Sequence, residues 1–588
     1  MGIGDGFGAG VALVEDGAVR FAVSEERLSR IKNHSGYYHG FPERSIELAL
    51  RTTGWAPDTI DHIATSNFAF PPLPLRLLAL SRRRPMRKEL LERDEFSRTL
   101  NSWAYSVFSE RRAESALGKF SVSIYRRALA RKLKRQFNLD RPIVFVDHHQ
   151  CHAASAYFTQ PHDDCLVMTQ DCHGDGLSGS VSVASAGRLQ RIAAFPATDS
   201  LGSFYAAVTH HLGFRHHRHE GKITGLAAYG DPGVARDDVR RMLVYDAKSR
   251  RLTSHLGRNQ FISISRFGRF LTREYRREDL AAAAQQHLES IVLDILRGFL
   301  AETGKTRVLL AGGVFGNVKL NQRINELPGV EYVFVHPGMG DEGLPVGAAL
   351  ASSASKGVFR LDRIDNVFWG PSYGDRENEA ALAASGLPYE RLDDIDARVG
   401  ELLAQKKIVA RCTGAVEYGP RALGNRSILF HAGDPTVNDW LNKSLRRDEF
   451  MPFAPATLRA RAQGCYQHLD SAAYAAEFMT MCFECTSQFK AGCPAVVHID
   501  GTARPQVVDD RANAGLHRII SEYEARTGIG TVINTSFNIH EEPIVCTPQD
   551  AVRAFAQAEL DCLALGNYLV TRARTIERDP TSTIGARS

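Results

Sequence analysis

His148 and His152 stand four residues apart, directly after an apolar run from Ile143 to Val146. The run reads as a buried strand and Asp147 as the N-cap of a helix, so the spacing puts both imidazoles on one helix face. A second apolar strand, Leu166 to Met168, leads to Asp171 in a turn rich in Gly and Asp. Two same-face histidines with an aspartate at a strand end suit a first-row divalent metal. The HxxxH spacing alone is weak, because such pairs are often ordinary polar residues at a helix start.

Other stretches are built for anions. Glu220-Gly221-Lys222 offers a close backbone approach and a point charge for phosphate. A strand, Thr306 to Leu310, runs into AGGVFGNVKLNQRI, a strand–glycine turn–helix layout that presents N–H groups to a phosphate or ribose. It is neither a Walker A sequence nor a Rossmann fingerprint. Gly2, Gly4, Gly6, Gly8 and Gly10 are either a phosphate-approachable backbone or plain turn residues. Towards the C-terminus, EYGPRALGNRSIL, LNKSLRRDEFMPFAPATL, DGTARPQVV and NTSFNIHEEP place cations beside Gly or Pro in loops, as anion pockets require. The histidine-rich turn at His210, His211, His216, His217 and His219 reads as polar, partly cationic surface rather than a metal tract. Cys482 and Cys485 form a CxxC, yet FMTMCFECT alternates as a strand does, which argues against zinc.

The elements that position these residues follow an α/β rhythm. The first residues read as two strands joined at Glu15-Asp16-Gly17, then a helix from Ser45 to Arg51 and a strand from Asp61 to Ser66. Residues of about 71–140 break the rhythm with Leu- and Arg-rich helices and read as an insertion, either a solvated basic face or a lid for an anionic substrate. A long helix, Leu280 to Glu302, and a strand, Tyr332 to His336, follow, the latter ending in PGMGDEGLPVGAAL with Asp341 in a glycine turn. Two strand-plus-Gly/Asp-turn units in separate halves imply a duplicated α/β domain with ligands between them. The pattern lapses near Ser355 to Arg363, which places a boundary at 360, and 361–588 reads as α+β.

The 588 residues require at least two domains. Hydrophobic and charged fractions of 44% and 24% are those of a globular protein, and no apolar run is long enough to span a membrane. A net charge of +5 is too mild to make nucleic acid the main partner. Ten cysteines without framework spacing, and an N-terminus without a signal pattern, fit the cytoplasm.

DHHQCHAASAY, EGKITGLAAYG, EYGPRALGNRSI, DGTARPQVV and NTSFN, in this order, resemble the O-carbamoyltransferases of antibiotic and nodulation-factor biosynthesis, the group of tobramycin and cephem carbamoyltransferases. The resemblance implies an actin/sugar-kinase-like domain of the threonylcarbamoyl-transfer type at 1–360 and a YrdC-like domain at 361–588. It implies that carbamoyl phosphate and ATP give carbamoyl-adenylate in the second domain. The first would move the carbamoyl group to a hydroxyl or amine of a small secondary metabolite. By motif, a divalent metal, typically ferrous iron, falls on His148, His152, Asp171 and Asp341. Adenine nucleotide falls on Lys222, Gly312, Gly313, Phe315 and Asn317, and carbamoyl phosphate with the nucleotide phosphates on Arg421, Arg504, Asn534 and Ser536. The implied partners are the acceptor and carbamoyl phosphate, with no nucleic acid and no membrane; a homodimer is open to it.

The chain departs from that pattern at three places. Leu445 and Met451 stand where relatives carry Lys and Arg against carbamoyl phosphate, with Lys443, Arg446 and Arg447 close by. On a helix, Arg447 shares a face with Met451, so it is the expected replacement. Gly6-Phe7-Gly8 stands where relatives often read Gly-His-Asp or Gly-His-Asn, and Cys172 replaces the usual second residue of a DGxGD turn. The alternatives are an adenylating enzyme on the same scaffold with a different activated group, forming an amide or removing water, and an inactive nucleotide-binding partner protein.

Overall fold

A computed structural model describes residues 1–66, 73–81, 116–436, 453–558 and 560–572. The first sheet is built from Gly2–Gly4 (β1), Gly10–Glu15 (β2), Ala18–Ser24 (β3), Ile63–Ser66 (β4) and Ile143–Val146 (β5), in the order β3-β2-β1-β4-β5. Strands β1 to β3 run antiparallel, and β4 and β5 add in parallel on the other side of β1. Asp16 and Gly17 both have positive φ (50° and 75°), the geometry that lets a two-residue turn follow the strand twist.

The second sheet repeats this plan. Cys165–Gly174 (β6), Leu177–Ser185 (β7) and Arg188–Pro196 (β8) form an antiparallel meander. A hairpin of Leu243–Asp246 (β9) and Arg251–Ser254 (β10) follows apart from it. Arg307–Ala311 (β11) and Tyr332–Val335 (β12) then join β6 in parallel, giving β12-β11-β6-β7-β8. Strand order and direction are the same in both sheets, as the expected duplication requires.

Two helices lie between the sheets and pack on each other. His148–Tyr157 rests on β6 and β11, and Leu344–Ala354 on β1, β2 and β4. Their contact depends on glycine, since a Cβ at Gly347 would lie 1.8 Å from the Cys151 carbonyl oxygen. A Cβ at Gly2 would similarly lie 1.9 Å from the Pro345 carbonyl oxygen. The N-terminal glycines at 2 and 4 therefore admit a helix, not a phosphate.

The basic segment contributes more than a solvated face. Helices Leu73–Ser81 and Ala116–Phe137 place Leu80, Tyr125, Leu129, Leu133 and Phe137 in one core with Ile3, Val11 and Phe21. Arg76 is buried with its guanidinium 3.7 Å above the Tyr125 ring and 3.5 Å from Asp5 Oδ2. A buried cation is tolerated only with such partners.

The chain runs from Ser355 to Gly374 without helix or strand and then forms an eight-stranded mixed sheet. Its strands are Tyr389–Arg391 (β13), Val409–Cys412 (β14), Arg426–His431 (β15), Ala454–Leu458 (β16), Gln506–Val508 (β19), Thr531–Ser536 (β20), Cys562–Leu565 (β21) and Tyr568–Thr571 (β22). They are ordered β13-β22-β21-β14-β15-β20-β16-β19, and helices Ile395–Ala404 and Ala514–Thr527 share a core with them. Phe483–Glu484 (β17) pairs apart from this sheet with Thr502–Ala503 (β18). FMTMCFECT is thus not one strand: Met479 turns the chain at φ 57°, Phe483 and Glu484 pair as a short strand, and Cys485 pairs through its backbone with Tyr466.

Side chains from the first part seat in loops of the second. Arg27 Nη2 donates to the Gly419 carbonyl at 2.8 Å, and Arg30 to the carbonyls of Ile544 and Pro543, both at 2.7 Å. The histidine-rich loop closes on Glu541, which Arg218 meets at 2.8 Å and His219 at 3.1 Å.

Candidate active sites

Asp147 Oδ1 accepts the Gln150 N–H at 2.8 Å and starts the helix at His148, so both imidazoles point from its first turns. Gly174 lies against the first of them, and a Cβ there would meet His148 Cγ at 2.1 Å. The register of β6 on β7 shifts between Gln170 and Gly174, a bulge that takes Asp171 off the ladder. Asp341 opens a single 3₁₀ turn between β12 and the helix Leu344–Ala354.

These four residues converge. One ligand atom from each of His148, His152, Asp171 and Asp341 lies within 4.8 Å of the others. His152 Nε2 is 3.2 Å from Asp171 Oδ2, and Asp341 Oδ1 is 3.6 Å from the Nε2 of each histidine. Burial opposes charge on His152, but Asp171 and Asp341 push it up to about 9. Burial likewise opposes charge on Asp171, yet the two histidines hold it well below the carboxylate range. Asp341 is raised by burial and by Asp171. The two buried imidazoles thus stand beside two partly buried carboxylates, the place a divalent cation takes. Two imidazole nitrogens with two carboxylate oxygens fit a first-row divalent ion. His149 is not one of the set: its Nδ1 faces Thr169 Oγ1 at 2.9 Å, and burial, then His148 and His152, push it down to about 3.

The glycine turn after β11 passes behind this cluster. Gly312 (φ 105°) leaves no room for a Cβ against the Gln170 carbonyl, and a Cβ on Gly313 would lie 3.1 Å from Asp171 Oδ1. Phe315 is fully buried, and its carbonyl accepts from Asn321 Nδ2 at 2.7 Å. Asn317 caps the helix Val318–Asn325 and exchanges hydrogen bonds with Gln285 at 2.8 and 3.1 Å. Lys222 is 8% exposed on the helix Glu220–Ala227, its ammonium 5.9 Å over the Phe214 ring. Gln285, also bound by Tyr205 at 2.7 Å, is a polar residue the sequence reading missed, since a lone glutamine inside a helix carries no spacing signal.

A cavity of about 250 Å³ opens beside Gln285, Thr224, Val318 and Lys319, and its far wall is Cys482, Asp500 and Arg504 of the second part. Arg504 and Arg421 are the expected anion ligands, and Arg421 Nε and Arg504 Nη1 are buried without hydrogen-bond partners. Neither guanidinium has a carboxylate within 4.0 Å among the described residues. Burial, then the like charge of Arg504, pushes Arg421 down to about 9. Two partly buried cations within each other's field make a place for an anion.

The loop that carries Arg421 folds around Glu417, whose Oε1 accepts the N–H groups of Leu423, Asn425 and Arg426 at 2.9, 2.8 and 3.0 Å. Asn534 on β20 donates to Gln506 Oε1 at 2.7 Å and to the Ala422 carbonyl at 3.3 Å, and Ser536 to Asn538 Oδ1 at 2.6 Å. Asn534 therefore braces the Arg421 loop, with its own Oδ1 buried and unpartnered. Arg447, Lys443, Arg446, Leu445 and Met451 lie outside the described residues.

The sequence model of the carbamoyltransferase N-terminus matches residues 2–350, and that of the carbamoyltransferase C-terminus matches residues 400–572. The chain belongs to the carbamoyltransferase family. The enzyme is 34% identical to the nodulation protein NolNO of Sinorhizobium fredii over 577 residues, 96% of this chain and 79% of that relative. It is 34% identical to the nodulation protein NolO of Bradyrhizobium diazoefficiens over 438 residues, 73% and 79% of the two chains. A crystal structure of HypF from T. kodakarensis aligns with 39% of this carbamoyltransferase and 39% of that chain, at 15% identity and a TM-score of 0.30. No helix among the described residues of the carbamoyltransferase is long and apolar enough to cross a membrane.

Proposed function

We propose that this carbamoyltransferase joins carbamoyl phosphate to ATP at Arg421 and Arg504 and passes the carbamoyl group of the resulting adenylate to an acceptor. The acceptor supplies a hydroxyl, or an amine, of a small secondary metabolite, and transfer takes place beside His148, His152, Asp171 and Asp341. The observation that carries the reading is the pair of partly buried guanidiniums, each with a buried nitrogen that has no hydrogen-bond partner, which favours a multiply charged anion. Residues 1–360 then correspond to an actin/sugar-kinase-like transfer domain, as the repeated sheet supports, and 361–588 to a YrdC-like adenylate-forming domain. A cytoplasmic location suits both substrates.

The atoms balance as carbamoyl phosphate, ATP and water giving carbamoyl-adenylate, phosphate and pyrophosphate. The acceptor hydroxyl oxygen then bonds to the carbamoyl carbon, AMP leaves, and the hydroxyl proton is released. Arg421 and Arg504 neutralise charge on the transferred phosphates, and Arg447 supplies a further cation in place of those missing at Leu445 and Met451. Lys222, Gly312, Gly313 and the main chain at Phe315 and Asn317 hold the adenylate. Asn534 braces the Arg421 loop through the Ala422 carbonyl, and Ser536 lies on the same strand towards the transferred phosphates.

A divalent ion, taken to be ferrous iron, would polarise the carbamoyl carbonyl when bound by the four ligands. The cavity between Gln285 and Arg504 adjoins the adenylate-holding residues through the Gln285–Asn317 hydrogen bonds and gives the adenylate a path towards Arg504. Mass spectrometry of the enzyme with carbamoyl phosphate, ATP and candidate acceptors tests the reading: carbamoyl-adenylate and a carbamoylated product are expected. An adduct lacking the carbamoyl group would assign the scaffold to amide formation or dehydration instead.

A further inference from the structure

We infer that Phe7, Tyr38 and His217 form an aromatic rim beside the metal cluster that holds a neutral or anionic acceptor by an apolar face and excludes polycationic ones. The inference rests on the transfer reading and gives the acceptor its chemical class.

Two loops and the helical turn Gly36–His39 meet here. The Phe7 and His217 rings are stacked with centroids 6.1 Å apart and 18° between planes, and Tyr38 and Tyr37 approach Phe7 at 5.9 and 6.1 Å. Phe7 and Tyr38 are partly exposed and His217 is exposed, so the rings present a face outward. The Phe7 loop is pressed onto the cluster: at Gly8 (φ 61°) a Cβ would lie 2.4 Å from the Glu342 nitrogen, one residue past Asp341. Gly36 N–H donates to the Gly6 carbonyl at 2.8 Å, which seats the helical turn that carries the tyrosines, and Asn33 Nδ2 donates to the His217 carbonyl at 2.9 Å, which joins the histidine loop. On the inner side, His173 lies within electrostatic range of His217, Asp171 and His148.

The carboxylates around the rim are already engaged. Glu26 accepts the Asn33 N–H at 2.7 Å and pairs with Arg27, and Glu220 accepts the His217 N–H. Glu541 is shared by Arg218, His219 and Arg215, with Lys32 also in its field. Behind Phe7 and away from solvent, Asp5 Oδ2 is held by Arg76 and Tyr125 while its Oδ1 is buried without a partner, and Asp175 accepts the His148 N–H at 3.0 Å. At the rim itself an arriving ammonium would meet the guanidiniums of Arg215 and Arg218 beside carboxylates that already hold partners, whereas an uncharged ring gains aromatic contact with Phe7 and Tyr38.

Equilibrium binding to the full-length protein tests this without turnover, with p-nitrophenyl β-D-glucoside as the neutral probe and kanamycin as the polycationic one. The glucoside is expected to bind at least about tenfold more tightly than kanamycin, to lose about tenfold in Phe7→Ala and to keep its affinity in Phe7→Tyr. His217→Ala, at an exposed position, repeats the test should Phe7→Ala not fold. Equal or tighter kanamycin binding, no glucoside binding, or unchanged affinity in Phe7→Ala and His217→Ala overturns the rim. Absence of carbamoyl-phosphate-dependent ATP turnover, with the glucoside preference intact, overturns the transfer reading and leaves the rim standing.

Discussion

The hydroxyl of Tyr418 donates to the main-chain carbonyl of Glu342, the residue that follows Asp341. Tyr418 is three residues before Arg421, so one hydrogen bond ties the loop that carries Arg421 to the turn that carries Asp341. The same Glu342 lies in the field of Arg421. The two candidate sites are therefore back to back, not at opposite ends of the chain.

Tyr418→Phe removes that bond and keeps the ring in its buried place. Loss of one buried hydrogen bond costs about 1 kcal/mol of stability, readable as a lower thermal midpoint. We expect carbamoyl-adenylate to form at close to the wild-type rate while a larger share is hydrolysed than transferred. Product partition by mass spectrometry reads this, and an unchanged ratio would show that the contact does not couple the sites.

His152→Ala should remove one of four ligands and abolish tight metal binding while the fold remains, by elemental analysis and circular dichroism. Gly174→Ala should do the same by pushing the His148 ring aside, because a Cβ there would meet it at 2.1 Å. His149→Ala should keep its metal, since that ring faces Thr169. Full metal content in His152→Ala would remove the residue from the site.

Arg421→Ala should stop carbamoyl-adenylate formation and leave transfer from supplied adenylate largely intact. A lost charge-assisted contact to an enclosed phosphate costs roughly 2–4 kcal/mol, about thirty- to a thousand-fold in rate. Arg447→Ala should raise KM for carbamoyl phosphate by about an order of magnitude, with a smaller change for ATP. Equal loss of both half-reactions in Arg421→Ala would contradict the division into two sites.

Glu25 gives a pH dependence of stability. It is 3% exposed and accepts from Ser45 N and Oγ at 2.8 and 2.6 Å, yet burial pushes its carboxyl up to about 7. Between pH 4.5 and 7 the folded chain holds a proton that the unfolded chain has released, so stability falls as pH rises through this window. The loss is on the order of 3 kcal/mol, complete above the folded pKa and absent below the unfolded one. Denaturant unfolding should show a shallower fall across this window in Glu25→Gln than in the wild type, the remainder coming from groups such as Glu342, which burial also pushes up to about 7.

The sequence by itself determined what depends on neighbours a few residues away. Asp147 caps the helix, the i, i+4 spacing puts His148 and His152 on one face, and Asp16-Gly17 closes the first hairpin, each through local backbone geometry. The repeated strand-plus-turn units foretold the duplication, because a period of two or 3.6 residues survives without tertiary context.

Tertiary structure alone decided which surfaces meet. It brings Asp341 to within 3.6 Å of histidines almost two hundred residues earlier, and Tyr418 to Glu342. It turns Gly2 into a seat for Pro345, draws Arg76 from a basic segment into a core beside Asp5, and breaks the alternating CxxC run at Met479. Burial and long-range pairing set the energies of these groups, and neither is written in the spacing of a single stretch.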